Sequence, residues 1–267
     1  MPFVEKKYTD NGNPMKLPNL LKPIFITLLA LISAAPTFAL TGTEIIERSD
    51  RAVQGRTQIA EIEITIQTRR WTRTLSMKSF GIRGEKKSFS EILSPKKDAG
   101  NRFLLVGDNM WHYVPNLQQT IKISPSMMLQ SWMGSDFTND DIVKESSIVN
   151  DYAHEIAGRE TVDGHECYRV ELIPKPEAVV VWGKIVYFAR ISDFLPVRED
   201  FYNERNELKK QLFCENFRHV DDRVIPTVYR MQTVSTPDRY TMMEIRSAEF
   251  DRTIPESVFS FQNLKRR

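Results

Sequence analysis

The sequence predicts a mainly β protein, an antiparallel sandwich or barrel folded as one domain behind an export signal. Three observations predict it. Apolar residues recur with period two in about a dozen short segments, Gly, Pro, Asn and Asp punctuate them at hairpin spacing, and strand–helix alternation is missing. The last point argues against a parallel α/β sheet.

The first element is not part of that domain. Lys16 and Lys22 flank the start of the apolar run 23–32, and small residues follow at Ser33, Ala34, Ala35 and Ala39. A positive flank, a short apolar core and a small-residue end make a secretory signal. The run is about half the roughly 20 residues a bilayer-spanning helix needs. Residues 1–39 are therefore expected to be cleaved, after Ala39 or after Ala35, with Met15 as a plausible true start. Residues 40–267 remain as the mature domain, with no later run of spanning length.

In that domain Thr41 is a helix cap with Glu44 in the first turn, and the helix ends near Gln54-Gly55. The period then falls to two: Ile62, Ile64 and Ile66 alternate with Glu61, Glu63 and Thr65. Strands follow at 73–78 and 85–93, then at 103–106 and 110–114 around Gly107-Asp108-Asn109, and at 120–123 after Pro115-Asn116. Beyond the middle, strands are expected after Asp163-Gly164 through Tyr168, Val170 and Leu172, and at 179–190, 197–202, 207–217, 224–233 and 240–250. The middle itself, 124–147, breaks the pattern. Pro125 suits the first turn of a helix, and Asn139 or Asp140 would cap a second short helix over 141–145.

Charge and cysteines narrow the function. The chain carries 37 Lys+Arg and 35 Asp+Glu. Four of the bases (Lys6, Lys7, Lys16, Lys22) and two of the acids (Glu5, Asp10) fall in the signal, so the mature domain is neutral. Nucleic-acid binders carry a basic surplus or stripe, and this chain has neither. The basic run Lys265-Arg266-Arg267 reads as a solvated terminus. Cys167 and Cys214 would meet an oxidising compartment, but the strand reading sets them on non-consecutive strands, and free buried thiols are the expectation. Neither lies near the cleavage site, so neither can anchor a lipid there.

Chemistry-bearing motifs are missing. His112, His154, His165 and His219 lack metal-ligand spacing, and there is no Gly-x-Ser-x-Gly, Gly-x-Gly-x-x-Gly or Walker sequence. Asp136, Asn139, Asp140 and Asp141 fail the calcium-loop spacing and read as helix caps. Glu61 and Glu63 share one strand face, as on any solvated strand. No catalytic residue, metal or cofactor is expected. What remains is adaptable apolar surface, with Met127, Met128 and Met133 beside Trp132. Methionine is unbranched and polarisable, and suits surfaces that take varied apolar partners. Such a cluster lines a pocket or packs a core; Trp71 and Trp111 carry the same two readings.

The block from Met127-Met128-Leu129 through Trp132-Met133 and Phe137 to Asn139-Asp140-Asp141 resembles the bacterial outer-membrane lipoprotein-sorting proteins, of the LolA/LolB-like superfamily. The segments 103–115 and 195–202 are similar to that group as well. The resemblance implies an incomplete, half-open antiparallel β-barrel around a hydrophobic cavity with short lid helices. It also implies a soluble periplasmic carrier of lipoprotein acyl chains or another lipid. An inner-membrane transporter would be the donor and an outer-membrane component the acceptor. A lipid-anchored receptor is set aside because no cysteine follows the signal. On this reading Ile64, Ile66, Trp71, Trp111, Met127, Met128, Leu129, Trp132, Met133 and Phe137 form the cavity or its lid. The other reading is a periplasmic accessory subunit of a transporter or envelope complex that binds protein instead of lipid.

Overall fold

A computed structural model describes residues 40–266 except Leu129, Asp140, residues 142–146 and Val179. The expected signal (1–39), Leu129 and residues 142–145 of the expected second lid helix lie outside the described residues.

Helix α1 (Gly42–Val53) begins where the sequence places it. Thr41 accepts from the Glu44 N–H, and the Glu44 carboxylate accepts from the Thr41 N–H at 2.8 Å, a reciprocal cap. Thirteen strands follow among the described residues: β1 (Thr57–Gln67), β2 (Thr72–Ile82), β3 (Lys87–Ser94), β4 (Arg102–Val106), β5 (Asn109–Val114), β6 (Gln119–Ile123), β7 (Tyr152–Val162), β8 (His165–Pro174), β9 (Lys184–Arg190), β10 (Pro196–Tyr202), β11 (Leu208–Val220), β12 (Arg223–Thr233) and β13 (Tyr240–Phe250). All pair antiparallel in one sheet, ordered β6-β5-β4-β3-β2-β1-β13-β12-β11-β10-β9-β8-β7. Two meanders are thus joined where the last strand pairs with the first, Ile64 facing Met243. No ladder joins β6 to β7 among the described residues, so the sheet curls without closing.

Tight turns set the register. Gly107 (φ 59°) lets β4 return as β5 in two residues, Val106 facing Asn109. Asp163 and Gly164 both take positive φ between β7 and β8. The expected strand at 179–190 is shorter than the sequence suggested, since pairing begins only at Lys184. Just before it, a Cβ at Gly183 would sit 2.8 Å from the Asn203 carbonyl oxygen, so only glycine permits this backbone approach. β7 was not foreseen.

Both faces of the sheet carry apolar clusters. On the concave face Ile64, Ile66, Leu75, Ile92, Phe103 and Met110 form one apolar cluster at the β1–β6 half. Val170, Leu172, Ile185, Ala189 and Phe201 form another at the β7–β12 half, with Ile45 and Ile46 of α1 packed into it. On the convex face Phe89, Leu104 and Trp111 are capped by the C-terminal segment through Ile254, Phe259 and Leu264. Lys265 and Arg266 themselves stay exposed, as expected of the basic tail. Arg102 donates to the carbonyls of Leu264 (3.3 Å) and Arg266 (2.5 Å), while the Arg266 side chain pairs with Glu91.

Candidate functional site

Between the two concave clusters lies a cavity of about 330 Å³. Register explains its gradation. Gln58, Gly81 and Ser88 align across β1–β3, as do Ala60, Ser79 and Ser90, so one end is walled by Gln58, Ser79, Ser88 and Ser90. Two residues along, Met77 marks the change to apolar wall. The rest is aromatic and aliphatic: Trp132, Phe137, Tyr152, Trp182, Phe201, Met231, Met243 and others.

Segment 124–141 roofs the β1–β6 half. It is built from two 3-10 turns, Pro125–Met127 and Trp132–Gly134, where a short helix was expected from Pro125. Trp132 is 1% exposed, its ring 5.4 Å from Phe103, with Met127, Met128 and Met133 packed on the same cluster. The segment folds back on itself through Trp132 N–H to the Phe137 carbonyl (2.8 Å) and Asn139 Nδ2 to the Met127 carbonyl (2.9 Å). Asp136 latches it to the sheet. Its carboxylate accepts from Arg239 Nε (2.9 Å), Thr241 Oγ1 (2.9 Å) and Thr233 Oγ1 (3.3 Å). Lys210 donates to the Asp136 carbonyl (2.5 Å), and Arg73 to that of Met133. Of the residues expected as caps, Asp136 instead fastens the roof and Asn139 ties it to Met127, while Asp141 pairs reciprocally with Thr138, its carboxylate accepting from the Thr138 N–H at 2.7 Å and its N–H donating to the Thr138 hydroxyl at 3.0 Å; Asp140 lies outside the described residues.

The opposite wall carries polar groups inside apolar surroundings. Tyr187 exchanges a hydrogen bond with Ser49 of α1 at 2.7 Å, and burial raises its phenol well above the usual range. Glu199 lines the cavity opposite Tyr187 on the neighbouring strand. Burial pushes its carboxyl up to about 7, with the charges of Asp141 and Asp200 adding to the effect. Glu199 keeps part of its surface accessible, and it lines the cavity. Asp50, at another wall, is paired with Arg83. Cys214 lines the cavity whereas Cys167 belongs to a convex-face cluster, so the sheet separates two free thiols. Among the described residues no group of His, Cys, Asp and Glu is placed to hold a metal ion.

A protein-family model described as that of an uncharacterized protein matches residues 84–266. The chain belongs to that family. No curated protein matches the sequence. Solved structures supply the fold. A DUF1329 family protein from Desulfovibrio piger is 24% identical, with a TM-score of 0.76 over 84% of this chain and 97% of that one. A domain from Vibrio parahaemolyticus described as outer membrane lipoprotein-sorting is 22% identical, with a TM-score of 0.75 over 84% and 98%. A LolA superfamily protein from Nitrosomonas europaea is 21% identical, with a TM-score of 0.71 over 84% and 100%. The fold is therefore that of the LolA superfamily, an incomplete antiparallel barrel as the resemblance implied.

Within this LolA-like fold the expected site residues divide. Trp132 and Phe137 line the cavity. Met127, Met128 and Met133 pack beside Trp132, and Ile64 and Ile66 are fully buried beneath them. Two residues do not join them. Trp71 is 47% exposed in the β1–β2 turn, under the Arg73 guanidinium, and lines neither cavity nor core. Trp111 faces the convex side and meets Phe261 edge-on at 4.8 Å. The β7–β12 wall, with Trp182, Glu199 and Tyr187, went unforeseen. One signal for it was present: Glu199 shares strand parity with Phe201, a charged residue on an apolar face.

Proposed function

We propose that the protein is a periplasmic carrier, exported by its N-terminal signal, that holds acyl chains of lipoproteins or of another lipid in the cavity. It would move them from an inner-membrane donor toward the outer membrane. The observation that carries this reading is the apolar cavity between two separately packed clusters, roofed by a Met-rich segment on an unclosed sheet. Each methylene moved from water into such a cavity gains about 0.8 kcal/mol. A chain is thus held strongly, while adaptable methionines let the roof refit around different cargo. Among the described residues no helix is long and apolar enough to cross a membrane. The chain resembles in fold a domain described as lipoprotein-sorting, which supports the same reading.

The test is direct. Purified mature protein is extracted and analysed by lipid mass spectrometry, and delipidated protein is titrated with an environment-sensitive alkyl fluorophore. Stoichiometric bound lipid, and saturable fluorophore binding lost on competition with acyl lipids, are expected. Finding neither bound lipid nor fluorophore binding overturns the carrier.

A further inference from the structure

A cavity meant only for hydrocarbon has no use for a carboxyl group. Glu199 makes no hydrogen bond or ion pair among the described residues, yet it faces a cavity walled largely by aromatic and aliphatic side chains. Burying such a group without a partner is costly, and the cost is relieved when a ligand supplies one. A second lining residue tells the same way. The indole N–H of Trp132, a residue 1% exposed, finds no acceptor among the described residues. Two orphaned polar groups on the walls of one cavity point to a cargo whose polar part also enters.

The sign of that polar part follows from the other groups on the walls. Beside Glu199 the carboxylates lining the cavity are Asp50 and Asp141. Asp50 already holds Arg83, and Asp141 lies 3.8 Å from Lys210. Neither Lys, Arg nor His lines the cavity among the described residues. On the strands packed against Glu199, the facing titratable groups are the Tyr187 phenol of β9, the Cys214 thiol of β11 and the Tyr229 phenol of β12. Burial holds the first two in their neutral forms. On its own strand Asp200 pairs with Arg198 at 3.1 Å. Among the described residues the field inside is negative once Glu199 ionises, and Glu199 is its unpaired source.

We infer that the cavity selects an amphiphile bearing a primary ammonium group, which Glu199 receives as an ion pair, and discriminates against carboxylate or phosphate headgroups entering it. This rests on the carrier reading above and adds the charge of the cargo to it. A carboxylate or phosphate oxygen inside would meet no cation among the described residues and be repelled by Glu199, whereas an ammonium group supplies the opposite charge and donors that this already desolvated carboxylate lacks. The Trp132 N–H is then free to donate to an oxygen next to the amine.

The experiment is competition against a bound neutral alkyl fluorophore by dodecylamine, 1-dodecanol and dodecanoate. It uses the wild type and Glu199→Gln, at about pH 6 and about pH 8.5, on either side of the Glu199 titration. A free alkylamine stays protonated at both. At the higher pH dodecylammonium is expected to compete at least about tenfold better than dodecanoate, with dodecanol between. At the lower pH, where Glu199 is largely protonated, the preference shrinks, and in Glu199→Gln it is lost. Equal competition by all three, a preference for dodecanoate, or a preference that survives Glu199→Gln each overturn the inference and leave the carrier intact. If the fluorophore itself does not bind, the carrier reading fails with it. Because the wild type alone gives the ranking, a variant that folds poorly does not blunt the test.

Discussion

Replacing Asp136 by Asn tests whether the roof is held as a separately openable unit. The Asp136 side chain is 2% exposed and takes three hydrogen bonds, from Arg239 and Thr233 at one oxygen and from Thr241 at the other. An asparagine keeps the volume but has one side-chain oxygen. Its amide must face either Thr241, which can accept, or Arg239, which cannot. The pair with Arg239 loses its charge in either case. A hydrogen bond to a charged group contributes about 1.5–3 kcal/mol, so local opening should become roughly ten- to hundredfold more frequent. Hydrogen–deuterium exchange reads this directly. Amides of 124–141 should exchange faster by that factor, while β8–β10, to which Asp136 makes no hydrogen bond among the described residues, keep their protection. Unchanged exchange in 124–141 would refute the latch. A uniform rise across the sheet would refute the idea that the roof opens independently of global unfolding. Arg239→Gln is the milder counterpart: the arginine is 39% exposed, and solvent screens its part of the pair to about 1 kcal/mol or less.

Three further outcomes follow from the packing and the buried charges. Trp132→Ala should lower stability to urea by about 3–5 kcal/mol, as expected for a fully buried aromatic, and weaken alkyl-fluorophore binding; a cost under about 1 kcal/mol would remove Trp132 from the core. Leu264→Ala should cost about 2–5 kcal/mol although only three residues follow it in the sequence, and denaturation at wild-type concentration would show that the C-terminal segment does not clasp the convex face. Stability against pH should show two opposed contributions. Glu199 titrates near 7 when folded against 4.5 otherwise, so the native state binds the extra proton and stability falls as pH rises between those values. Burial lowers His112 to about 4 from 6.5, so there the unfolded state binds the extra proton and stability rises with pH over that range. Glu199→Gln should therefore unmask the rising limb below about pH 6.5, and an unchanged curve would count against the burial of Glu199.

Legibility followed local chemistry. The α1 cap and the β4–β5 and β7–β8 turns were readable because Thr41, Glu44, Gly107, Asp163 and Gly164 act through their immediate neighbours. β7 was not, because it is a sheet edge whose side chains stand mostly in solvent on both faces, which erases the alternation. Val180 and Trp182 looked like strand because they are apolar, but they are apolar because they wall the cavity. Trp111 shows a deeper limit. Met110 and Trp111 point to opposite faces and both are covered, so period two reports burial without saying which face holds the cavity. The C-terminal clasp depends on Phe259 and Leu264 in helical turns of four residues, too short for any periodicity to register.

The gap between β6 and β7 has a mechanical consequence. In a closed barrel the circumference is fixed by strand number and stagger, and widening the interior means breaking ladder hydrogen bonds. Here the two edge strands share no ladder, so the wall behaves as a leaf spring with two free ends. Spreading it stretches side-chain packing at the roof and at α1 but leaves every pairing from β6 round to β7 intact. The 330 Å³ at rest is then a starting volume, and cargo length is limited by how far the spring opens before Trp132 and Ile46 lose their seats.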